Sequence, residues 1–442
     1  MIKDVSMLGS DMPASSLTHP RDAEARMLDI PSPSIAPAEV WRHGEEAGAL
    51  VFGGAHGSLA VVRSLGRHGI PVWLLRRDHP IARLSRYASG SIPWNGPAHA
   101  DAADYLVEIA ERYRLRGAVL FPGGDAEAEL VSQNHAKLSR AFRVTTPAWS
   151  TAKWAFDKRL MNERAGELGI AHPWSRYPRD RLEVAALQCR YPVILKPTMK
   201  REPNAFTLAK AWRVDNRDQL LARYDEAVAL VGADAIVLQE LIPGDGRTQF
   251  SYAAIWDRGA PLASLVARRT RQYPIDFGYT STFVETVEQN EVEDAASRFL
   301  KSIFYSGMVE VEFKYDRRDD RYKILDVNAR PWTWNALGAI AGIDFPYLMW
   351  RLAMGEDVEP VRGRSGAAWM HLSRDVVAAL QEMLAGTLSP VRYLKSFGGP
   401  LQFAAYAGDD PVPGIVDLPL ALARIVTKRL PVAAHQFIKA FF

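Results

Sequence analysis

Apolar and acidic positions alternate strictly in one stretch of the chain. Val309, Val311 and Phe313 interleave with Glu310, Glu312 and Lys314. That period of two is the pattern of a half-buried strand. The polar run Arg317-Arg318-Asp319-Asp320-Arg321 reads as a turn, and Tyr322 to Asn328 as the returning strand. On an alternating reading, Ile324, Asp326 and Asn328 share one face and Leu325 and Val327 the other. With the turn centred on Asp319, Glu312 falls opposite Asp326 and Glu310 opposite Asn328. Directly opposed residues of an antiparallel pair point to the same face.

Other segments follow recognisable periods. Ala49 to Phe52 is a short apolar strand, Gly53, Gly54 and Gly57 a turn, and Leu59, Val62 and Leu65 a helical stripe that stops at Gly69. Val72 to Leu75 is the next strand, completing a β-α-β unit. Ala118 to Phe121 is another strand, followed by Pro122-Gly123-Gly124-Asp125. From Ser150 a helix is expected to run to Gly169 and Pro173. Tyr191 to Pro197 is a strand that delivers Lys196, and residues 198–212 read as a mobile loop leading to Lys210. A strand ending at Gln239-Glu240, a hairpin over Ser251–Pro274 and an amphipathic helix from Val292 precede the acidic hairpin. After it come a helix-turn-helix from Leu337 and a helix over Asp375–Leu384. Residues 1–46, rich in Pro, Ser and Ala, are expected to be a disordered leader. Residues 407–417 read as turns. The tail from Leu418 alternates apolar and basic residues; it either lies on a membrane surface or packs on the C-terminal lobe.

Composition narrows the classes. The chain has 442 residues, 48% hydrophobic and 24% charged, as in soluble globular proteins. With 54 basic against 51 acidic residues the net charge is +3, which gives no reason to expect a nucleic-acid partner. The single cysteine, Cys189, excludes an internal disulfide and a cysteine-based metal site and fits a reducing cytoplasm. No apolar run is long enough for a membrane span, and the N-terminus lacks a secretory pattern.

Candidate chemistry gathers on the hairpin. Glu310, Glu312, Asp326 and Asn328 would lie on one patch, and like charges opposed this way need something positive between them. Hard oxygen donors at this density suit Mg²⁺. Arg330 follows, placed to meet anionic oxygens. Asp125, just past a strand's carboxyl end, is either a ligand contact or a helix N-cap. The glycine turn at Gly53 lacks the spacing and the closing acidic residue of a dinucleotide fingerprint, with Arg76 and Arg77 standing there instead, so it is either a structural turn or a ligand contact. Arg268, Arg269 and Arg271 are a basic cluster that either contacts substrate or is a solvated strand end. Trp332 and Trp334 either wall a substrate site or belong to the core.

Taken in order, these strand ends resemble the ATP-grasp superfamily over roughly Ala49 to Gly355, in the carboxylate–amine ligase branch that includes D-aspartate ligase-like proteins. The matching motifs are Asp157-Lys158, Leu195-Lys196-Pro197, Gln239-Glu240-Leu241-Ile242 with Pro243-Gly244, Val311-Glu312-Phe313, Leu325-Asp326-Val327-Asn328 and Asn328-Ala329-Arg330-Pro331. The resemblance implies an α/β architecture combined with α+β. A Rossmann-like domain (47–150) precedes a two-lobed ATP-grasp fold (151–355, lid lobe about 185–240), and a small C-terminal extension (356–442) follows. It implies ATP and Mg²⁺ as cofactors. Lys158, Lys196 and Lys210 would meet phosphates. Gln239, Glu240, Leu241 and Ile242 would form the hinge against adenine and ribose. Glu312, Asp326 and Asn328 would hold metal, and Arg330, with Arg269, would be catalytic. Asp326 departs from the usual Glu, and the loop carrying Lys200 and Arg201 lacks the usual glycine-rich run.

The activity so implied is ADP-forming ligation: a small carboxylate is activated as an acylphosphate and joined to an amine. The alternatives are another acylphosphate acceptor or an ATP-binding regulatory protein without turnover. The implied partners are small molecules, with a homodimer by analogy.

Overall fold

The computed structural model describes residues 47–424, apart from 78, 96–100, 199–203, 210 and 274–279. Lys200, Arg201 and Lys210 therefore lie outside the described residues, as do the leader and the tail beyond 424.

The first unit is a parallel sheet in the order Ala88–Pro93, Val72–Arg76, Ala49–Phe52, Val119–Pro122, Arg143–Val144. Ala49–Phe52, its centre, is buried along its whole length, which is why it reads as an unbroken apolar run. Helices His56–Arg67, Ala102–Arg112 and Asp125–Gln133 connect the strands. This is the expected Rossmann-like arrangement. Gly53 has φ +141°, and a side chain there would press on Gly123 Cα at 3.2 Å, so the two glycine turns pack against each other. Gly57 is not part of the turn: it lies in the first turn of the helix, where a Cβ would come within 3.1 Å of the Trp332 carbonyl.

A four-stranded sheet, ordered Ser175–Arg176, Ile236–Glu240, Val193–Pro197, Trp212–Val214, forms a second layer. Its core is Val193, Leu195, Leu238 and Tyr224. The segment expected as a mobile loop is partly helical: Ala205–Ala209 forms a short helix, with the Asn204 side chain accepting from the Phe206 and Thr207 amides.

The third layer is a large, mainly antiparallel sheet. Arg321–Asn328, Gly307–Asp316, Gln249–Asp257, Ala260–Tyr273, Thr280–Val287, Ala368–Met370 and Leu401–Phe403 lie side by side, and Val361–Arg362 pairs with Ala260–Tyr273. Residues beyond 355, expected as a small extension, thus add strands to this sheet. The helix Val412–Arg424 starts inside the segment read as turns. Just before it, Asp410 binds the Arg63 guanidinium, the Ser85 hydroxyl and the Arg86 amide of the first unit.

Two further expectations are corrected. The helix from Ser150 is two helices, Trp149–Phe156 and Lys158–Glu167, broken at Asp157. The Asp157 carboxylate caps the second by accepting from the Arg159 and Leu160 amides. In the acidic hairpin the pairing Glu310–Asn328 and Glu312–Asp326 is as expected, but a bulge follows, so that Phe313 pairs with Ile324. The extra residue, Leu325, reverses the alternation. Ile324 therefore turns into the core beside Val311, Phe313 and Val327, instead of sharing a face with Asp326.

Candidate active site

The polar face of the acidic hairpin is closed by charges drawn from four separate elements. Asp326 Oδ1 accepts from Lys158 Nζ at 2.8 Å, and Lys158 is the first residue of the helix that Asp157 caps. The break at Asp157 is what presents this lysine to the hairpin. Glu312 receives the Asn328 amide at 3.2 Å on one oxygen and the Arg269 guanidinium at 3.5 Å on the other. Arg330 donates through Nε to Asp125 Oδ1 at 2.5 Å, and through its other end to Asn328 Oδ1 at 3.4 Å. Asp125 is the first residue of its helix; Gly124 holds the capping position. Its carboxylate instead holds Arg330, so the first unit helps to position that guanidinium.

Glu310 lies beneath this face. It is buried and accepts from the Ser251 hydroxyl at 3.0 Å, the Trp334 indole at 3.1 Å and the Asn328 amide at 3.2 Å. Burial, and next the neighbouring Glu312 charge, push its carboxyl up to about 7, against the pull of Arg269, Arg330 and the Ser251 hydrogen bond. Glu310 orients Asn328, which in turn touches Glu312 and Arg330.

The basic cluster divides by register. Arg269 turns to Glu312 and Gln249. Arg268 turns away to Glu285. Arg271 is not a solvated strand end: it is buried in a two-pronged pair with Asp375, at 2.9 and 2.8 Å. Trp332 and Trp334 are both buried in the core, against Phe345 and Leu337 among others.

On the small sheet, Lys196 Nζ donates to Gln239 Oε1 at 3.0 Å, and Gln239 also bonds Ser175. Gln239 thus supports the lysine with its side chain while its backbone sits between two strands. Glu240 is already engaged. Its oxygens accept from the Trp174 amide at 3.0 Å, Lys323 at 2.8 Å and Arg318 at 2.8 Å. Asp316 completes the knot with Lys323 and Arg318, and hydrogen bonding to Arg318 holds its carboxyl well below the usual range. A ribose hydroxyl at Glu240 would share the carboxylate with these cations. Leu241 and Ile242 lead out of the strand, the Leu241 amide meeting the Pro192 carbonyl at 3.4 Å. Lys323 and Arg318 were not foreseen; their roles depend on the bulge and on the small sheet lying over the hairpin.

The donor set fits Mg²⁺. Glu312, Asp326 and the Asn328 carbonyl are hard oxygens on paired strands, and Lys158 and Arg269 balance the two carboxylates.

Comparison with known proteins bears on the fold. Residues 273–361, which include the hairpin and Arg330, match the family model described as the carbamoyl-phosphate synthase L chain, ATP binding domain. The chain is 26% identical over 235 residues to the D-aspartate ligase of Enterococcus faecium (strain Aus0004), a match covering 50% of this chain and 55% of that protein. It thus spans about half the length of the curated relative it matches. Among solved structures, it is similar to the biotin carboxylase domain of Hydrogenobacter thermophilus 2-oxoglutarate carboxylase, in a complex with MgADP, ADP and bicarbonate. That match has TM-score 0.57 and 17% identity, covering 72% of this chain and 73% of that one. It is also similar to the L-amino acid ligase of Bacillus licheniformis, with TM-score 0.53 and 15% identity over 73% and 78% of the two chains. At these identities the likeness to solved structures is one of fold. No helix among the described residues is long and apolar enough to cross a membrane.

Proposed function

We propose that the chain is an ATP-grasp enzyme, an ADP-forming ligase that activates a small carboxylate as an acylphosphate and joins it to an amine. The observation that carries this reading is the meeting of Lys158, Arg269 and Arg330 with Glu312, Asp326 and Asn328 on one face. Such a face holds phosphates in line and spreads their charge, which is what phosphoryl transfer requires of a protein.

Lys158 and Lys196 would neutralise the phosphates, each held in place by a polar partner. Glu312, Asp326 and Asn328 would hold Mg²⁺, which would offset the charge of the phosphates. Arg330, oriented by Asp125 and Asn328, would stabilise the transferring phosphoryl group, and Arg269 would contact it or the substrate carboxylate. Gln239, Glu240, Leu241 and Ile242 would form the hinge against the nucleoside. Lys210 completes the proposed phosphate set. We place the enzyme in the cytoplasm and take a homodimer as its form.

The test is phosphate release from Mg-ATP with pooled carboxylates and amines, with products read by mass spectrometry. The native chain is expected to release ADP and form an amide, and Glu312→Gln to fall to background. Mg-ATP binding without ADP release across the panel would favour a regulatory ATP-binding protein. A product carrying no new amide would favour another acceptor. The absence of any Mg-ATP effect on melting temperature would sink the assignment altogether.

A further inference from the structure

A second polar cluster lies apart from the residues described above. His56 opens the helix after the first strand, His371 follows the strand Ala368–Met370, and Asp417 sits on the helix Val412–Arg424. All three are buried: 5% exposed for His56, 1% for His371 and 6% for Asp417. One ligand atom from each lies within 4.8 Å of the others, the one such grouping of three found among the described residues. His56 Nε2 is 2.7 Å from Asp417 Oδ1, and His371 Nδ1 is 3.8 Å from Oδ2. The two imidazole rings stand 4.3 Å apart, centroid to centroid.

We propose that His56, His371 and Asp417 bind a divalent transition-metal ion, Zn²⁺ by preference, which ties the C-terminal helix to the first unit. Two imidazoles and a carboxylate are a donor set that zinc favours and that Mg²⁺, a seeker of oxygen ligands, does not. Metal–ligand bonds of roughly 2.0–2.2 Å bring ligand atoms to within about 4 Å of one another, so small side-chain rotations close the site. Simple pairing leaves part of the cluster unexplained. His371 Nε2 is buried with no hydrogen-bond partner among the described residues, an arrangement that costs stability unless something else occupies it. Ser373 Oγ, on the helix Leu372–Leu384, lies 2.6 Å from Asp417 Oδ2 and 3.2 Å from His371 Nδ1 and supports both. His79 stacks edge-on against His56 at 5.3 Å and completes the wall.

The experiment is a titration of chelator-treated, full-length protein with Co²⁺ and with Zn²⁺, in excess Mg²⁺ so that the acidic hairpin does not compete. Co²⁺ is read by its visible ligand-field absorption and Zn²⁺ by calorimetry and metal analysis. One equivalent is expected to bind, with an ordered-site Co²⁺ spectrum and a higher melting temperature. His371→Gln and Asp417→Asn should each weaken binding at least tenfold, with far-UV circular dichroism confirming that they fold. Failure of the folded native protein to bind one equivalent overturns the proposal, as does undiminished binding in folded His371→Gln and Asp417→Asn. Because the native titration is decisive alone, a variant that fails to fold leaves the proposal open to refutation.

Discussion

Glu310→Gln is the most direct probe of the buried polar layer under the proposed metal face. Glu310 is 4% exposed, and its carboxyl is pushed up from 4.5 to about 7, mainly by burial and next by Glu312. In the unfolded chain the same group ionises near its ordinary value. Between these two pH values the native state holds a proton that the unfolded state has lost, so stability falls as pH rises through that window and levels off above it. A displacement of that size corresponds to roughly 3 kcal/mol, lost between about pH 4.5 and about pH 7. Glutamine keeps an oxygen for the Ser251 hydroxyl and the Trp334 indole but carries no titrating charge. Urea unfolding in EDTA at about pH 5 and about pH 8 should therefore show Glu310→Gln gaining roughly 3 kcal/mol on the native protein across the interval. Part of that gain is offset by the amide facing Asn328 Nδ2. Mg²⁺ should shrink the difference, because a cation at Glu312 lowers the cost of the Glu310 charge. A difference between the two proteins that does not change with pH would refute the reasoning.

Other perturbations test the surrounding architecture. Asp375→Ala leaves the buried Arg271 guanidinium without its counter-charge and should cost about 3–5 kcal/mol in urea unfolding, whereas Arg271→Met with Asp375→Leu should come close to neutral. Asp125→Asn should lower kcat by about 10²-fold by releasing Arg330 from its position, while Mg-ATP still raises the melting temperature. Lys158→Ala removes the cation facing Asp326 and should weaken Mg-ATP binding in calorimetry, with a small change at most in the stability of the apo protein.

Local pattern made much of the fold readable. Strict alternation along Val309–Phe313 identified the first arm of the hairpin, and the length of the polar turn set the pairing of Glu310 with Asn328 and Glu312 with Asp326. The apolar run Ala49–Phe52, bounded by glycines, marked a buried parallel strand. These features are legible because side-chain period and turn length are properties of adjacent residues. The order of charged strand ends along the chain, together with the family pattern it resembles, pointed to Lys158, Lys196, Glu312, Asp326 and Asn328.

What the sequence could not hold was anything settled between distant segments. The bulge at Leu325 is one case: no local period announces it, yet it turns Ile324 into the core and Lys323 toward Glu240. The basic cluster is another. Arg268, Arg269 and Arg271 are equivalent as a string, and only their neighbours in the sheet and the helix Leu372–Leu384 separate the one that meets Glu312 from the one buried against Asp375. Asp125 and Arg330 are 205 positions apart, and His56 and Asp417 are 361 apart. Local sequence determined many of the elements and the residue types they present. Which side chains meet was decided by the tertiary structure, because contact at such separations depends on how whole sheets and helices stack.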